Sequence, residues 1–263
     1  MSVFSSIDVS AVPSGSGAEN TVSENGLRPR QGNAKRWQIR KPAVICPAFI
    51  AANDGEIGAP VGGILKRAAD LLIASVGIFL LAPLLVLIAL LVRATTGGPA
   101  IYRHRRVGFQ GRYFDCLKFR SMVVDGDQVL DRHLRANPAA AKEWQEARKL
   151  ARDPRVTRFG YFLRKTSLDE LPQLFNILLG DMSCVGPRPV VSEELQRYEE
   201  KVYDYCRARP GITGLWQVSG RSCTSYEQRI LLDSAYVRNW SFGRDVVILL
   251  QTLPAVMKVQ QAA

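Results

Sequence analysis

Apolar and charged positions are unevenly distributed along this chain. The run from Leu71 to Val92 contains no charged residue. As a straight helix it extends roughly 33 Å, enough to cross the core of a bilayer. Residues 1–60, in contrast, are rich in Ser, Gly, Ala, Asn and Pro and show no sustained period. This composition predicts a disordered, basic N-terminal tail ahead of a membrane segment.

Two features of the apolar run favour a re-entrant helix over a spanning one. Pro83 lies near its middle, where it removes a backbone donor and bends or breaks a helix. Lys and Arg residues flank both ends, whereas the positive-inside rule places them on one side only. We therefore predict a helix–break–helix over Ala68–Val92, within a membrane segment of residues 61–95. A spanning helix stays open, because such helices tolerate a lone proline.

The residues that follow, 96–263, predict one mainly α-helical domain with a small β-hairpin. Ala100–Arg106 and Arg112–Arg120 are short extended segments around two glycines, which is typical of a hairpin. The pattern over Asp245–Val259 is apolar but short for a span, and it fits an interfacial helix and a core helix equally. The predicted fold class is thus a monotopic membrane protein with a re-entrant helix, amphipathic interfacial helices and this hairpin.

Charge and cysteine content narrow the class of partner. The 263 residues include 35 Lys and Arg against 24 Asp and Glu, and the net charge of +11 favours an anionic partner. Nucleic acid, acidic lipid and phosphorylated substrates all qualify. The adjacent membrane segment favours lipid, and we expect no nucleic-acid partner. Five scattered cysteines and two histidines argue against a zinc site or a disulfide framework and fit a reducing, cytosol-facing location.

Two adjacent carboxylates, Asp169 and Glu170, open an apolar run after Ser167. Ser followed three residues later by Glu matches a helical capping box, which explains both carboxylates without any reaction. A helix N-terminus also favours the ionised form, so the pattern predicts a low pKa for Asp169. An ionised Asp is a competent nucleophile toward phosphorus, and carboxylate oxygens suit Mg²⁺. Asp169 and Glu170 are therefore the candidate catalytic residues and the candidate Mg²⁺ ligands.

Several cations supply the charge that a phosphorylated substrate needs, since phosphoryl transfer depends on positioning and charge stabilisation. The stretch RPGITGLWQVSGR, residues 209–221, adds glycines at which backbone can approach a ligand closely and Trp216, which can lie against a ring. An ordinary glycine turn with a packed Trp fits this stretch as well. The candidate substrate-binding residues are Lys118, Arg120, Arg164, Arg188, Arg209 and Arg221.

Together these motifs resemble the bacterial polyprenyl-phosphate hexose-1-phosphate transferases, the monotopic phosphoglycosyl transferases. The resemblance covers roughly residue 65 to the C-terminus. It is carried by KFRSM at Lys118–Met122, LRKTSLDELPQLFN at Leu163–Asn176, GDMSCVGPRP at Gly180–Pro189 and the glycine-rich stretch above.

The resemblance implies a role for several residues. Asp169 falls on the family's nucleophile and Glu170 on the Glu implicated in metal-assisted catalysis. The cations implicated in phosphate contacts fall on Lys118, Arg164 and Arg188. A re-entrant helix is also implied, although its break is Ala82–Pro83 here where the family often has Ser-Pro.

The implied reaction moves a hexose 1-phosphate from a UDP-sugar to undecaprenyl phosphate through an aspartyl intermediate and releases UMP. Its expected place is the bacterial inner membrane, with residues 96–263 as a catalytic domain facing the cytoplasm. The chain most resembles members that open exopolysaccharide assembly with galactose phosphate. Glucose phosphate, an amino-sugar phosphate and a non-catalytic scaffold for anionic lipid or glycan stay open, as does a homodimer.

Overall fold

The computed structural model describes residues 58–147, 150, 152–220 and 224–261. The predictions for the N-terminal tail up to residue 57, and the candidate Arg221, lie outside the described residues. Within them, helices dominate. They are α1 (Gly63–Thr96), α2 (Gly126–Ala136), α3 (Pro138–Ala147), α4 (Arg158–Thr166), α5 (Gln173–Leu179), α6 (Ser192–Gln196), α7 (Val202–Cys206), α8 (Leu215–Val218), α9 (Tyr226–Arg238) and α10 (Phe242–Gln261).

Two small sheets accompany the helices. Strands β1 (Ile101–Val107) and β2 (Tyr113–Phe119) form an antiparallel hairpin in which Tyr102 lies opposite Lys118. The prediction of a mainly helical chain with a small hairpin is therefore confirmed. Strands β3 (Ser183–Val185) and β4 (Gly211–Thr213) pair in parallel, and the sequence did not predict this second pair.

Helix α1 is long and apolar enough to cross a membrane by length and composition, and among the described helices it alone meets that test. Its secondary structure continues through Pro83. Only 17% of its most apolar stretch is buried inside the protein. The large apolar side chains that it exposes include Leu72, Val76, Phe79, Leu80, Val86, Leu87 and Leu90.

Both ends of α1 pack against the rest of the protein. Near its start, Ala74 belongs to a core cluster that includes Ile177 of α5 and Ile248 of α10. Near its end, Val92 belongs to a second cluster with Leu163 of α4. Helix α1 therefore contacts the rest of the protein at two places along its length. The dip into the membrane itself stays a prediction.

A buried ion pair fixes the start of α1. Lys66 Nζ donates to Asp245 Oδ2 at 2.6 Å, and both side chains are buried. Tyr236 and Trp240 donate to the same carboxylate. Asp70 accepts from the backbone N–H of Cys184 at 2.9 Å. Removing one partner of such a buried pair is strongly destabilising, so these contacts bind the apolar helix firmly to α10 and β3.

Candidate active site

The acidic pair lies in a short turn between α4 and α5. Ser167 ends α4 in the left-handed region, with φ of 58°, and its N–H donates to Arg164 O at 3.2 Å. Leu168–Glu170 then form one 3₁₀ turn, and α5 begins only at Gln173. The Ser167 side chain makes no cap hydrogen bond. The predicted capping box is therefore wrong, because Ser167 closes the preceding helix instead of opening the next.

The electrostatic prediction for Asp169 is wrong for the same reason. Its pKa is raised to about 6, chiefly by burial and to a smaller extent by the charge of Glu170. Lys118 and Arg164 act in the opposite direction but do not offset burial. A single 3₁₀ turn offers no long aligned helix dipole to hold the pKa low. The carboxyl group is nevertheless mostly ionised at neutral pH, as a nucleophile requires.

Lys118 connects the hairpin to the acidic pair. Its Nζ donates to Glu170 Oε1 at 2.6 Å, and both side chains are largely buried. The alternation of β2 places Lys118 on the same face as the buried Phe114 and Cys116. This strand therefore projects an ammonium group into the site from a rigid base.

Arg164 is held by the chain segment that follows β2. Its Nε donates to Ser121 Oγ at 2.8 Å. That segment lies directly on α4, because a Cβ at Gly160 would sit 2.0 Å from the backbone oxygen of Ser121. Glycine at position 160 thus permits the close approach that places Ser121 against Arg164.

Arg188 reaches the site from the segment after β3. Its guanidinium lies 5.5 Å from the centre of the Trp216 ring. The glycines of this region approach backbone rather than a ligand, which corrects the sequence interpretation. A Cβ at Gly211 would lie 2.1 Å from Gly186 N, and one at Gly214 would lie 2.1 Å from Gly186 O. They let β3 and β4 pack tightly, and this packing positions Arg188 beside Trp216.

An open cleft of about 1030 Å³ brings most of the predicted residues together. Asp169, Glu170, Lys118, Arg120, Arg164 and Arg188 all line it. A water-sized cavity of about 20 Å³ adjoins the cleft at Lys118 and Glu170. Cationic side chains around two carboxylates suit a phosphorylated substrate, since the cations offset both the carboxylates and the phosphate.

Two predicted residues are not in this group. Arg209 lines neither cavity. Its Nε donates to Gly180 O at 2.9 Å, at the end of α5, and burial together with the charge of Arg67 lowers its pKa. Arg221 lies outside the described residues.

Among the lining residues that the sequence reasoning missed, three belong to β1. Tyr102 and His104 line the cleft and Arg106 lines the small cavity. All three lie on one face of β1, as its alternation dictates. The signal was present, because this is the strand that pairs with the one bearing Lys118.

A Mg²⁺ ion is compatible with the acidic pair only with help from a substrate. Among the described residues, no three His, Cys, Asp or Glu side chains are grouped so that they could hold a metal. Magnesium is commonly bound by one or two carboxylates together with substrate phosphates and water. Asp169 and Glu170 provide that donor set, although Lys118 already contacts one oxygen of Glu170. They fit a metal shared with a diphosphate.

Comparison with known proteins identifies the class of chain. Residues 61–259 match the family model of bacterial sugar transferases. The exopolysaccharide production protein ExoY of Rhizobium meliloti (strain 1021) is 52% identical over 210 residues, which cover 80% of this chain and 92% of ExoY.

Two longer relatives carry more specific names. The UDP-galactose-lipid carrier transferase of Erwinia amylovora is 55% identical over 194 residues, 74% of this chain and 40% of that protein. The undecaprenyl-phosphate galactose phosphotransferase of Salmonella typhimurium (strain LT2) is 50% identical over 194 residues, again 74% of this chain and 40% of that protein. The match therefore spans well under half the length of these two relatives.

Proposed function

This chain belongs to the bacterial sugar transferase family, and we propose that it transfers a hexose 1-phosphate, with galactose favoured, from a UDP-sugar to undecaprenyl phosphate. The names of the Erwinia and Salmonella relatives support both the sugar and the lipid carrier. The name of the Rhizobium relative supports a place in exopolysaccharide production. The transfer would form the lipid diphosphate sugar that opens assembly.

One observation carries the proposal. Asp169 lies in a cleft wide enough for a nucleotide sugar, with Lys118, Arg164 and Arg188 on the same walls. A pKa of about 6 leaves the Asp169 carboxylate ionised at neutral pH while keeping it more basic than an ordinary Asp. These features suit attack on a phosphate whose negative charge the cations offset.

The reaction proceeds in two displacements at one phosphorus. First, an Asp169 carboxylate oxygen bonds to the phosphorus that carries the hexose, and the bond from that phosphorus to the UMP oxygen breaks. UMP leaves with the electron pair, and an aspartyl phosphohexose forms. Second, an oxygen of undecaprenyl phosphate bonds to the same phosphorus and the carboxylate leaves. The products are undecaprenyl diphosphate hexose, UMP and free Asp169.

The surrounding residues bind and orient the substrate. Arg164 and Arg188 offset charge on the phosphates, and Lys118 holds Glu170 beside the nucleophile. Asp169 and Glu170 would hold Mg²⁺ jointly with the diphosphate, and the metal would supply further charge stabilisation there.

We also propose that the enzyme lies on the cytoplasmic leaflet of the inner membrane, with α1 dipping in and returning. The packing of both ends of α1 on one body and its exposed apolar side chains support this arrangement. Ile64→Cys and Thr95→Cys variants test it, because both positions are exposed. A membrane-impermeant maleimide added outside the cytoplasm should label neither. Labelling of one position alone from that side would contradict the hairpin.

Trapping the covalent intermediate tests the reaction. Purified wild type is incubated with UDP-galactose radiolabelled in the sugar phosphate, without acceptor, and protein-bound label is counted after denaturation. Wild type and the surface variant Asp131→Asn should retain label, and Asp169→Asn should not. Label that persists in Asp169→Asn would exclude Asp169 as the nucleophile.

A second measurement identifies the sugar. UMP release is followed with undecaprenyl phosphate and one UDP-sugar at a time: UDP-galactose, UDP-glucose and the N-acetylated amino sugars. Faster release from UDP-galactose is expected. Faster release from another sugar would keep the mechanism but correct the donor, and release from none would refute the proposal.

A further inference from the structure

One wall of the cleft has no assigned role. Tyr102 and His104 project from the cleft face of β1, with ring centres 5.9 Å apart. Tyr102 lines the cleft and is 45% exposed, so part of the residue is accessible to a ligand. The guanidinium of Arg120 lies 5.7 Å from the Tyr102 ring. The wall therefore offers a planar apolar surface with a polar edge.

The hydrogen bonding of His104 shows which of its ring nitrogens carries the proton. Arg106 Nη2 lies 3.2 Å from His104 Nδ1. A guanidinium can only donate, so Nδ1 must accept, and the neutral ring carries its proton on Nε2. Burial, followed by the charges of Arg106 and Lys118, lowers the pKa of His104 to about 4. The ring is thus a neutral donor at physiological pH, and among the described residues its Nε2 has no hydrogen-bond partner.

A second aromatic ring in the cleft is less open. Trp216 has two guanidinium groups against its ring, that of Arg188 at 5.5 Å and that of Arg229 at 4.9 Å. Its Nε1 is buried. A ligand ring that stacked on Trp216 would have to displace one of these cations. Tyr102, in contrast, is already partly exposed. Between the two aromatics, Tyr102 is therefore the better stacking surface.

Building on the proposed function, we infer that Tyr102 and His104 form the subsite for the pyrimidine base of the nucleotide sugar. The base stacks on Tyr102, and one of its carbonyl oxygens accepts a hydrogen bond from His104 Nε2. A neutral donor suits a neutral carbonyl, while the charged groups of the cleft suit phosphate. The register supports this division, because Tyr102 lies directly opposite Lys118, which contacts Glu170.

Comparing two inhibitors separates the contribution of the base to binding from that of the phosphates. Turnover of the labelled UDP-sugar by the full-length enzyme is inhibited either with UDP or with inorganic pyrophosphate, which has no base. In Tyr102→Ala we expect the UDP inhibition constant to rise about tenfold and the pyrophosphate constant to stay within about twofold, as loss of one base–aromatic stack predicts. His104→Phe, which keeps a ring but removes the donor, should change the constants in the same direction.

Arg103→Gln is the matched control. Its side chain lies on the outward face of the same strand, 62% exposed and 3.9 Å from Asp115. Neither inhibition constant should change in this variant. Thermal unfolding of each variant shows that the hairpin is intact, and equilibrium binding of UDP gives a readout where turnover is too slow.

The outcomes distinguish the two proposals. An unchanged UDP constant in Tyr102→Ala and His104→Phe, or equal losses for UDP and pyrophosphate, would overturn the base subsite while the transfer reaction stands. Failure of wild type to release UMP from any UDP-sugar, with UDP still bound in a Tyr102-dependent manner, would refute the transfer reaction and keep the subsite. UDP that does not bind to wild type contradicts both.

Discussion

Replacing Asp169 by Asn is expected to abolish transfer and, at neutral pH, to stabilise the fold. Burial and the charge of Glu170 raise the pKa of Asp169 from 3.8 to about 6 in the folded protein. A carboxyl group with a raised pKa binds its proton more tightly in the folded state than in the unfolded chain. Its ionisation therefore lowers the stability of the fold. The full cost applies above about pH 6, declines as the pH falls below 6, and disappears below 3.8.

The magnitude follows from the size of that rise. A tenfold change in proton affinity corresponds to about 1.4 kcal/mol, so the carboxylate costs at most about 3 kcal/mol. Asp169 keeps some exposure to solvent, and we expect a gain of about 2 kcal/mol for Asp169→Asn near pH 7.5. In a domain of this size that gain raises the Tm by about 4–8 °C.

Thermal unfolding followed by tryptophan fluorescence measures the effect in one detergent at about pH 7.5 and about pH 4. The Tm gain of Asp169→Asn should shrink strongly at the lower pH. Asp131→Asn is the matched control, because Asp131 pairs with Arg135 on an exposed helix surface. It should change stability by less than about 0.5 kcal/mol. An equal gain at both pH values, or a loss at neutral pH, would refute the electrostatic origin.

Further predictions concern rate and packing. In the proposed mechanism only ionised Asp169 attacks, so kcat/KM of the wild type should fall about tenfold per pH unit below a pKa near 6. Glu170→Gln should shift this fall in the pH–rate profile to lower pH, because the charge of Glu170 raises the pKa of Asp169. Gly160→Ala should cost about 1–3 kcal/mol in urea unfolding, because its Cβ would meet backbone at 2.0 Å. Arg188→Gln should lower kcat/KM about 100-fold, whereas Arg209→Gln should leave kcat/KM unchanged and cost about 1 kcal/mol of stability, since its contact is a backbone carbonyl. Equal rate losses in both arginine variants would contradict their separate roles.

The larger elements could be predicted because their patterns are long and unambiguous. The apolar run correctly predicted a helix, which is α1. The two extended segments around the glycines predicted the hairpin strands to within one residue at each end. Lys118 was predicted as a substrate-binding residue and does line the cleft, but its ion pair with Glu170 was not predicted.

The acidic turn could not be predicted in the same way. Ser167 and Glu170 match a capping box in sequence, yet the same residues also permit a left-handed serine that closes α4. Leu163 and Leu168, on either side of this serine, pack in one cluster with Val92 at the end of α1, and the local sequence does not reveal that contact. Burial is the main reason that the pKa of Asp169 is raised. The local sequence does not reveal this burial, so it predicted a lowered pKa.

The two arginines next to proline make the same point about long-range contacts. Arg188 and Arg209 both lie in proline-containing motifs and look equally suited to phosphate. The parallel pairing of β3 with β4 decides between them. It directs Arg188 toward the cleft, while Arg209 contacts the carbonyl of Gly180 at the end of α5. No local pattern carries that information.

The raised pKa of Asp169 fits a phosphoryl group that must be received and passed on. A carboxylate near its ordinary pKa would be a weak nucleophile, whereas a much more basic one would leave its phosphoryl adduct slowly. The second pKa of a phosphate monoester is about 6. In the proposed reaction, UMP as leaving group and a lipid phosphate as acceptor therefore have basicities close to that of Asp169. Each displacement then exchanges groups of similar basicity, so neither the aspartyl phosphohexose nor the lipid diphosphate is formed too stably to react further. The burial that destabilises the ionised carboxylate therefore also brings its basicity to the level of its proposed reaction partners.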